Sequence, residues 1–183
     1  MITLKSAREI EAMDKAGDFL ASIHIGLRDI IKPGVDMWEV EEYVRRRCKE
    51  ENFLPLQIGV DGAMMDYPYA TCCSLNDEVA HAFPRHYILK DGDLLKVDMV
   101  LGGPIAKSDL NVSKLNFNNV EQMKKYTQSY SGGLADSCWA YAVGTPSEEV
   151  KNLMDVTKEA MYKGIEQAVV GNRIGDIGAA IQE

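Results

Sequence analysis

Apolar residues return at helical spacing near the start of the chain, with Ile10, Met13, Gly17, Leu20, Ile23, Leu27, Ile30 and Ile31 falling near one face over residues 6–31. Ser6 stands as an N-cap and Glu9 can close a capping box, so the pattern predicts a long amphipathic helix. The stretch KPG at 32–34 stops it. Asp36 is then placed to cap a second helix, with Glu39 completing the box, and Met37, Val40, Val44 and Cys48 give that helix an apolar face that fades near Glu51. From Asn52 the period changes. Short apolar runs separated by turn residues (FLPLQIGV, YATCCSL, VAHAF and, after DGD, LLKVDMVLGG) predict strands or extended segments of one sheet. Residues 104–131 break the strand pattern, with a short helix over Val120 to Tyr130, and LADSCWAYAVG resumes as a strand. After the start signal TPSEE a long helix is predicted over 147–169, and IGDIGAAIQE opens another.

The two helix pairs repeat. Shifting the first so that Gly34 falls on Gly171 places Met37 on Ile174, Glu39 on Asp176, Val40 on Ile177 and Val44 on Ile181. In the first copy a strand-rich stretch follows; the second stops at Glu183, inside its own second helix. More sheet is therefore expected from the natural polypeptide or the working assembly.

Composition narrows the functional classes. With 183 residues and 46% apolar content, the chain can bury a substantial core. A formal net charge of -8 argues against a nucleic-acid backbone or an anionic membrane as the main partner, and Arg45, Arg46 and Arg47 read as a solvated helix face. The first residues carry charge and lack an apolar h-region, and no window has the length of a membrane span. Cys48, Cys72, Cys73 and Cys138 lack zinc-type spacing, so reduced thiols in a cytoplasm are expected.

Two carboxylates stand out because each interrupts an apolar strand: Asp98 in VDMV and Asp136 in LADSCWAYAV. Burial of an ionised carboxylate costs several kcal/mol unless a positive charge meets it, roughly in the range known for buried ions. Either the two share a divalent cation, since hard ions take oxygen ligands, or each has its own partner, and Lys96 lies on the same strand face as Asp98. His81, after the turn SLND, is a candidate donor to a substrate carbonyl, whereas His24 and His86 read as structural. Tyr67, Tyr69, Cys72 and Met64 either line an apolar pocket suited to a thioether or pack as core. The chain contains no glycine-rich phosphate loop, no GxSxG and no HExxH.

Taken in order, "YPYATCCSLNDEVAHAFP", "DGDLLKVDMVLGG" and "ADSCWAYAVG" are similar to the successive motifs of the methionine aminopeptidases, type I in particular, and the likeness extends to "KSAREIEAMDKAG" and "IKPGVDMWEVEEYV". The resemblance implies an α/β pita-bread fold, duplicated internally, as one catalytic domain over 1–183. That domain holds the first half and the opening helices of the second, is C-terminally incomplete, and carries an insertion at about 104–131. It implies a dinuclear site in which Asp98 is the bidentate first metal ligand and Asp136 the bridging second one. His81 then contacts the substrate near the scissile amide, and Tyr67 and Cys72 line the methionine pocket. The implied activity is removal of initiator methionine from nascent proteins when the next residue is small, by hydroxide held between two divalent ions (Co, Mn, Fe or Zn). Its partners would be N-terminal methionyl peptides, the missing half of the fold and, through the nascent chain, the ribosome. An Xaa-Pro peptidase and a non-catalytic binding protein of the same fold are the alternatives.

Three departures accompany the likeness. Asp109 lies at the family's usual separation from Asp98, but the serine after Asp136 and the downstream VG favour Asp136 as second ligand. Ala82 replaces a common glycine. A histidine and two glutamates that complete the family's site have no match, so residues 1–183 alone are expected to bind metal poorly and to be inactive. The insertion is expected to be either a lid or docking surface bearing Tyr126 and Tyr130, or a solvated excursion.

Overall fold

The computed structural model describes residues 4–183. The chain divides into two compact units, Met1–Gly144 and Thr145–Glu183.

In the first unit, helix α1 (Ala7–Ile30) begins at the expected capping box: the Ser6 hydroxyl accepts from the Glu9 amide and the Glu9 carboxylate takes the Ser6 amide. Its buried face is Ala16, Phe19, Leu20, Ile23, His24 and Leu27, whereas Ile10 and Met13 are exposed. Helix α2 (Trp38–Glu51) buries Met37, Val40, Val44 and Cys48 as expected, but its start differs. Met37 already has helical backbone angles, and Glu39 closes no box. The Asp36 carboxylate accepts from the Trp38 and Tyr87 amides, each at 3.1 Å, and bonds His86 Nδ1 at 2.7 Å. Asp36 thus ties the helix start to a distant loop, which outbids the local box.

Four strands make one antiparallel sheet: β1 (Leu54–Pro55), β2 (Cys72–Leu75), β3 (Leu94–Gly102) and β4 (Leu134–Ala142). Strand β3 is central, pairing along its whole length with β4 and on the other edge with β2 and β1. Alternation along β3 sends Leu95, Val97, Met99 and Leu101 into the core. Each such fully buried side chain contributes roughly 1.5–3 kcal/mol relative to exposure. Helices α1 and α2 contribute to that same core. Lys96, Asp98 and Val100 are turned to the other face. The run VAHAF does not form a strand: His81 adopts a left-handed backbone (φ 58°), and only Ala82 bonds the edge of β2, its carbonyl accepting from Cys73 N at 2.9 Å.

The stretch 104–131 is not a solvated excursion. It contains a 3-10 turn (Val112–Lys114) and helix α3 (Val120–Ser129), and it delivers Val112, Leu115, Phe117 and Met123 to the core. Asn52, in the left-handed conformation that ends α2, pins its start: the side-chain amide donates to Ile105 O (2.7 Å) and Leu110 O (2.9 Å) and accepts from Val112 N (2.8 Å). Tyr126 and Tyr130 are half-buried against the core, and the Tyr130 hydroxyl donates to Gly133 O at 2.7 Å.

The second unit is a helix pair, α4 (Glu148–Glu166), capped by Ser147, and α5 (Ile174–Gln182). The two helices approach closely at Gly164, where a Cβ would lie 2.7 Å from Ile181. Gly171 ends the connection with φ 103°, as its repeat mate Gly34 does with φ 92°, a left-handed turn that favours glycine in both copies. The repeat register also exposes a difference. Ala16, Phe19, Met37 and Val44 are buried in the first unit; their mates Leu153, Val156, Ile174 and Ile181 are exposed in the second.

Candidate metal centre

Strand register builds the site. Asp98 on β3 stands directly between Cys72 on β2 and Cys138 on β4, and Asp136 on β4 stands opposite Val100. The two aspartates are therefore diagonal neighbours on one sheet face, the face turned away from α1, at a backbone spacing of roughly 7–8 Å that carboxylates can bridge through a shared ion. Burial raises the Asp98 carboxyl above its ordinary pKa, and the Asp136 charge raises it further, against the opposing effects of His81 and the Met99 amide.

The alternative partner does not serve. Lys96 donates its ammonium to Asn76 O at 2.7 Å, and among the described residues neither Asp98 nor Asp136 forms a salt bridge. Two hard oxygen donors that repel one another on an open face fit a divalent cation. Among the described residues no group of three His, Cys, Asp or Glu side chains converges. Asp109 sits in an exposed turn off the sheet, where Ser108 Oγ bonds it at 3.1 Å, and register thus separates it from Asp136.

His81 is exposed and close enough to Asp98 to lower its pKa. The unusual backbone belongs to His81 itself. Ala82 has no positive φ, so alanine there carries no left-handed backbone penalty. The Tyr67 hydroxyl donates to Thr71 O (3.0 Å) and lies 3.3 Å from Ala82 O; its ring meets Phe83 and Tyr69 edge-on, and burial pushes its pKa upward. The buried Cys72 Sγ accepts from Gln57 Nε2 at 3.2 Å, and its thiol is also raised by burial. Tyr67, Cys72, His81, Asp98 and Asp136 thus gather on one side of the sheet. Met64 does not join them, being 99% exposed.

Sequence reasoning missed three supports. Glu41, wholly buried, accepts from Ala70 N (2.8 Å), Thr71 N (2.9 Å), Thr71 Oγ1 (2.6 Å) and Arg45 Nε (2.5 Å). It fixes the backbone just before Cys72. The signal was present, since Met37, Glu41, Val44 and Cys48 share one helical face. Arg45 is not on a solvated face: its guanidinium also bonds Asn118 Oδ1 (2.8 Å) and Pro68 O (3.1 Å). Arg47 bonds Tyr43 and Ser22, leaving Arg46 as the solvated member of the trio. Gln57 is the third, because a polar residue inside an apolar run carried no marker of what it would touch.

His24 and His86 are structural. His24 is buried, stacks on Trp139 at 4.8 Å, and places Nε2 3.3 Å from Ser137 O and Nδ1 2.8 Å from the Tyr141 hydroxyl. The Ser137 carbonyl only accepts, so Nε2 carries a proton. Burial lowers its pKa from 6.5 to about 4. Between those values the unfolded chain binds the proton and the folded chain does not. The His24 contribution is therefore complete above pH 6.5 and is lost as the pH falls to about 4, some 3 kcal/mol in all. Urea midpoints across this range should fall less steeply in His24→Gln than in the wild type; parallel curves would refute the assignment.

An antiparallel sheet backed by helices and bearing two carboxylates on its other face defines a scaffold of mixed α/β class. The chain belongs to metallopeptidase family M24, whose model matches residues 11–104 and 125–183. The internal residues left unmatched, 105–124, lie within the stretch 104–131. The chain is similar to methionine aminopeptidase 1 of Bacillus subtilis (33% identity, covering 100% of this chain and 61% of that protein) and to methionine aminopeptidase of Aquifex aeolicus (32%, 100% and 61%). Among solved structures it resembles a methionine aminopeptidase from streptococci (99% identity, TM-score 0.92, 100% and 64%) and that of Thermotoga maritima (33%, 0.79, 100% and 61%). An X-Pro aminopeptidase from Thermotoga maritima, 16% identical with TM-score 0.64, shares the fold. The expected pita-bread class is therefore borne out. The chain spans about three fifths of the length of the curated relatives.

Proposed function

We propose that the polypeptide containing this chain is a methionine aminopeptidase that removes N-terminal methionine when the next residue is small. The observation that carries the reading is the register placing Asp98 and Asp136 on one sheet face, beside the pocket wall of Tyr67 and Cys72. Asp98 and Asp136 would hold two divalent ions (Co, Mn, Fe or Zn) together with a histidine and two glutamates from the rest of the fold. When bound, such ions lower the pKa of water and polarise a carbonyl. His81, free of the core, orients the scissile amide by hydrogen bonding. Tyr67 and Cys72 receive the methionine side chain, a polarizable thioether that suits an apolar wall with a neutral thiol.

The second unit supports the need for more fold. Its exposed Leu153, Val156, Ile174 and Ile181 are repeat mates of residues that the first unit buries, so a further layer is expected to cover them. Among the described residues no helix is long and apolar enough to cross a membrane. We assign the protein to the cytoplasm, acting on nascent chains near the ribosome.

The test uses the full-length polypeptide loaded with Mn or Co, assayed for methionine release from Met-Ala-Ser and for hydrolysis of an Xaa-Pro peptide. Methionine release is expected. Cleavage of the Xaa-Pro peptide alone would transfer the assignment to a proline-specific relative, and cleavage of neither would leave the non-catalytic reading.

A further inference from the structure

The geometry points to a role for the insertion: Asn118 and Lys124 are positioning residues that brace the Tyr67 wall of the pocket. The inference rests on the methionine reading above.

The wall is a loop closed by two backbone bonds, Gly59 N to Tyr67 O and Tyr67 N to Val60 O, both 2.8 Å. Its tip is open to solvent, with Met64 99% and Met65 55% exposed. Nothing within the loop itself buries that tip, and α3 of the insertion holds it from outside. The Lys124 ammonium bonds both oxygens of Asp66 at 3.0 Å and also pairs with Asp61. Thr127 Oγ1 donates to Ile58 O at 3.1 Å. Gly59, at φ 89°, lies so close that a Cβ there would come within 2.7 Å of Lys124 Cα, so loop and helix touch backbone to backbone.

The other flank of Tyr67 is held as well. Arg45 donates to Pro68 O, and Asn118 Oδ1 fixes the same guanidinium at 2.8 Å. The residue before Tyr67 and the residue after it are thus both restrained through the insertion. Asn118 and Lys124 fall in the internal segment, 105–124, that the family model leaves unmatched.

A partly exposed ion pair adds little to global stability, but a displacement of about 1 Å in a substrate-positioning group can cost much more in reaction with substrate. The two roles are therefore separable. Lys124→Met in the metal-loaded, full-length protein is expected to raise KM for Met-Ala-Ser about tenfold with kcat within about twofold, and Asn118→Ala about threefold. Lys124→Arg should recover most of the loss. Lys125 pairs with Glu121 one turn away on the same helix, and Lys125→Met should leave KM unchanged. Hydrogen exchange at the Gly59 and Tyr67 amides should quicken about tenfold in Lys124→Met, with metal content unaltered. Unchanged exchange at these amides would overturn the brace, as would a loss of melting temperature that accounts for the whole kinetic effect. If the wild type releases no methionine, the activity reading fails alone, and the exchange rates still decide the brace.

Discussion

Asp98→Asn in the full-length protein is expected to strip the metal and lower kcat/KM for a methionyl peptide roughly a thousandfold, while the metal-free protein unfolds at the same or a slightly higher urea concentration. The two halves of that expectation have one cause. Asp98 is half-buried beside a like charge, so without a cation its ionised form is held at a cost, which is why burial and Asp136 raise its pKa. An amide removes the repulsion and also removes the anionic ligand. Metal content after dialysis, steady-state kinetics and a urea titration check the three quantities. Wild-type metal content and activity in the variant would sink the metal-ligand assignment.

Glu41→Ala carries the largest expected effect on stability, a loss of about 3–5 kcal/mol. The carboxylate is wholly buried and takes two backbone amides, a threonine hydroxyl and the Arg45 guanidinium. Its removal leaves the Arg45 Nε, two amides and the Thr71 hydroxyl without this acceptor in the interior, and each unmet group costs its own desolvation. Because Ala70 and Thr71 lead directly into Cys72, the surviving folded protein should also lose affinity for substrate. Replacing Glu41 and Arg45 together by Met should cost less than Glu41→Ala, since no charge is then stranded. A loss under about 1 kcal/mol for Glu41→Ala would show that water or a shifted loop replaces the carboxylate.

The helices were legible because their signals are local. The Ser6 box, the TPSEE start and the glycines at 34 and 171 depend on residues a few positions apart, and the structure keeps them. Asp36 was legible as a cap but not in its partners, because the 86–87 backbone that claims it lies far along the chain. VAHAF failed as a strand for a similar reason: apolar alternation predicts an extended run, but the backbone at His81 turns left-handed where Ala82 meets β2. The five candidate site residues were reached from strand context and motif likeness. Glu41, Arg45 and Gln57 were not, since their work is done on segments distant in sequence.

By itself, the sequence determined the helix pairs and their repeat, the alternation that makes β3, and the presence of two costly carboxylates in apolar runs. These follow from periodicity and from the energy of burying charge, which need no knowledge of what lies across the fold. Only the tertiary structure decided that Asp136 and not Asp109 shares a face with Asp98, that Lys96 spends its charge elsewhere, and that the insertion enters the core and bonds the segment around Ile58 and Asp66. Register across strands and contacts between remote segments set these outcomes, because a side chain's partner is chosen by proximity in space among all the groups that folding brings within reach.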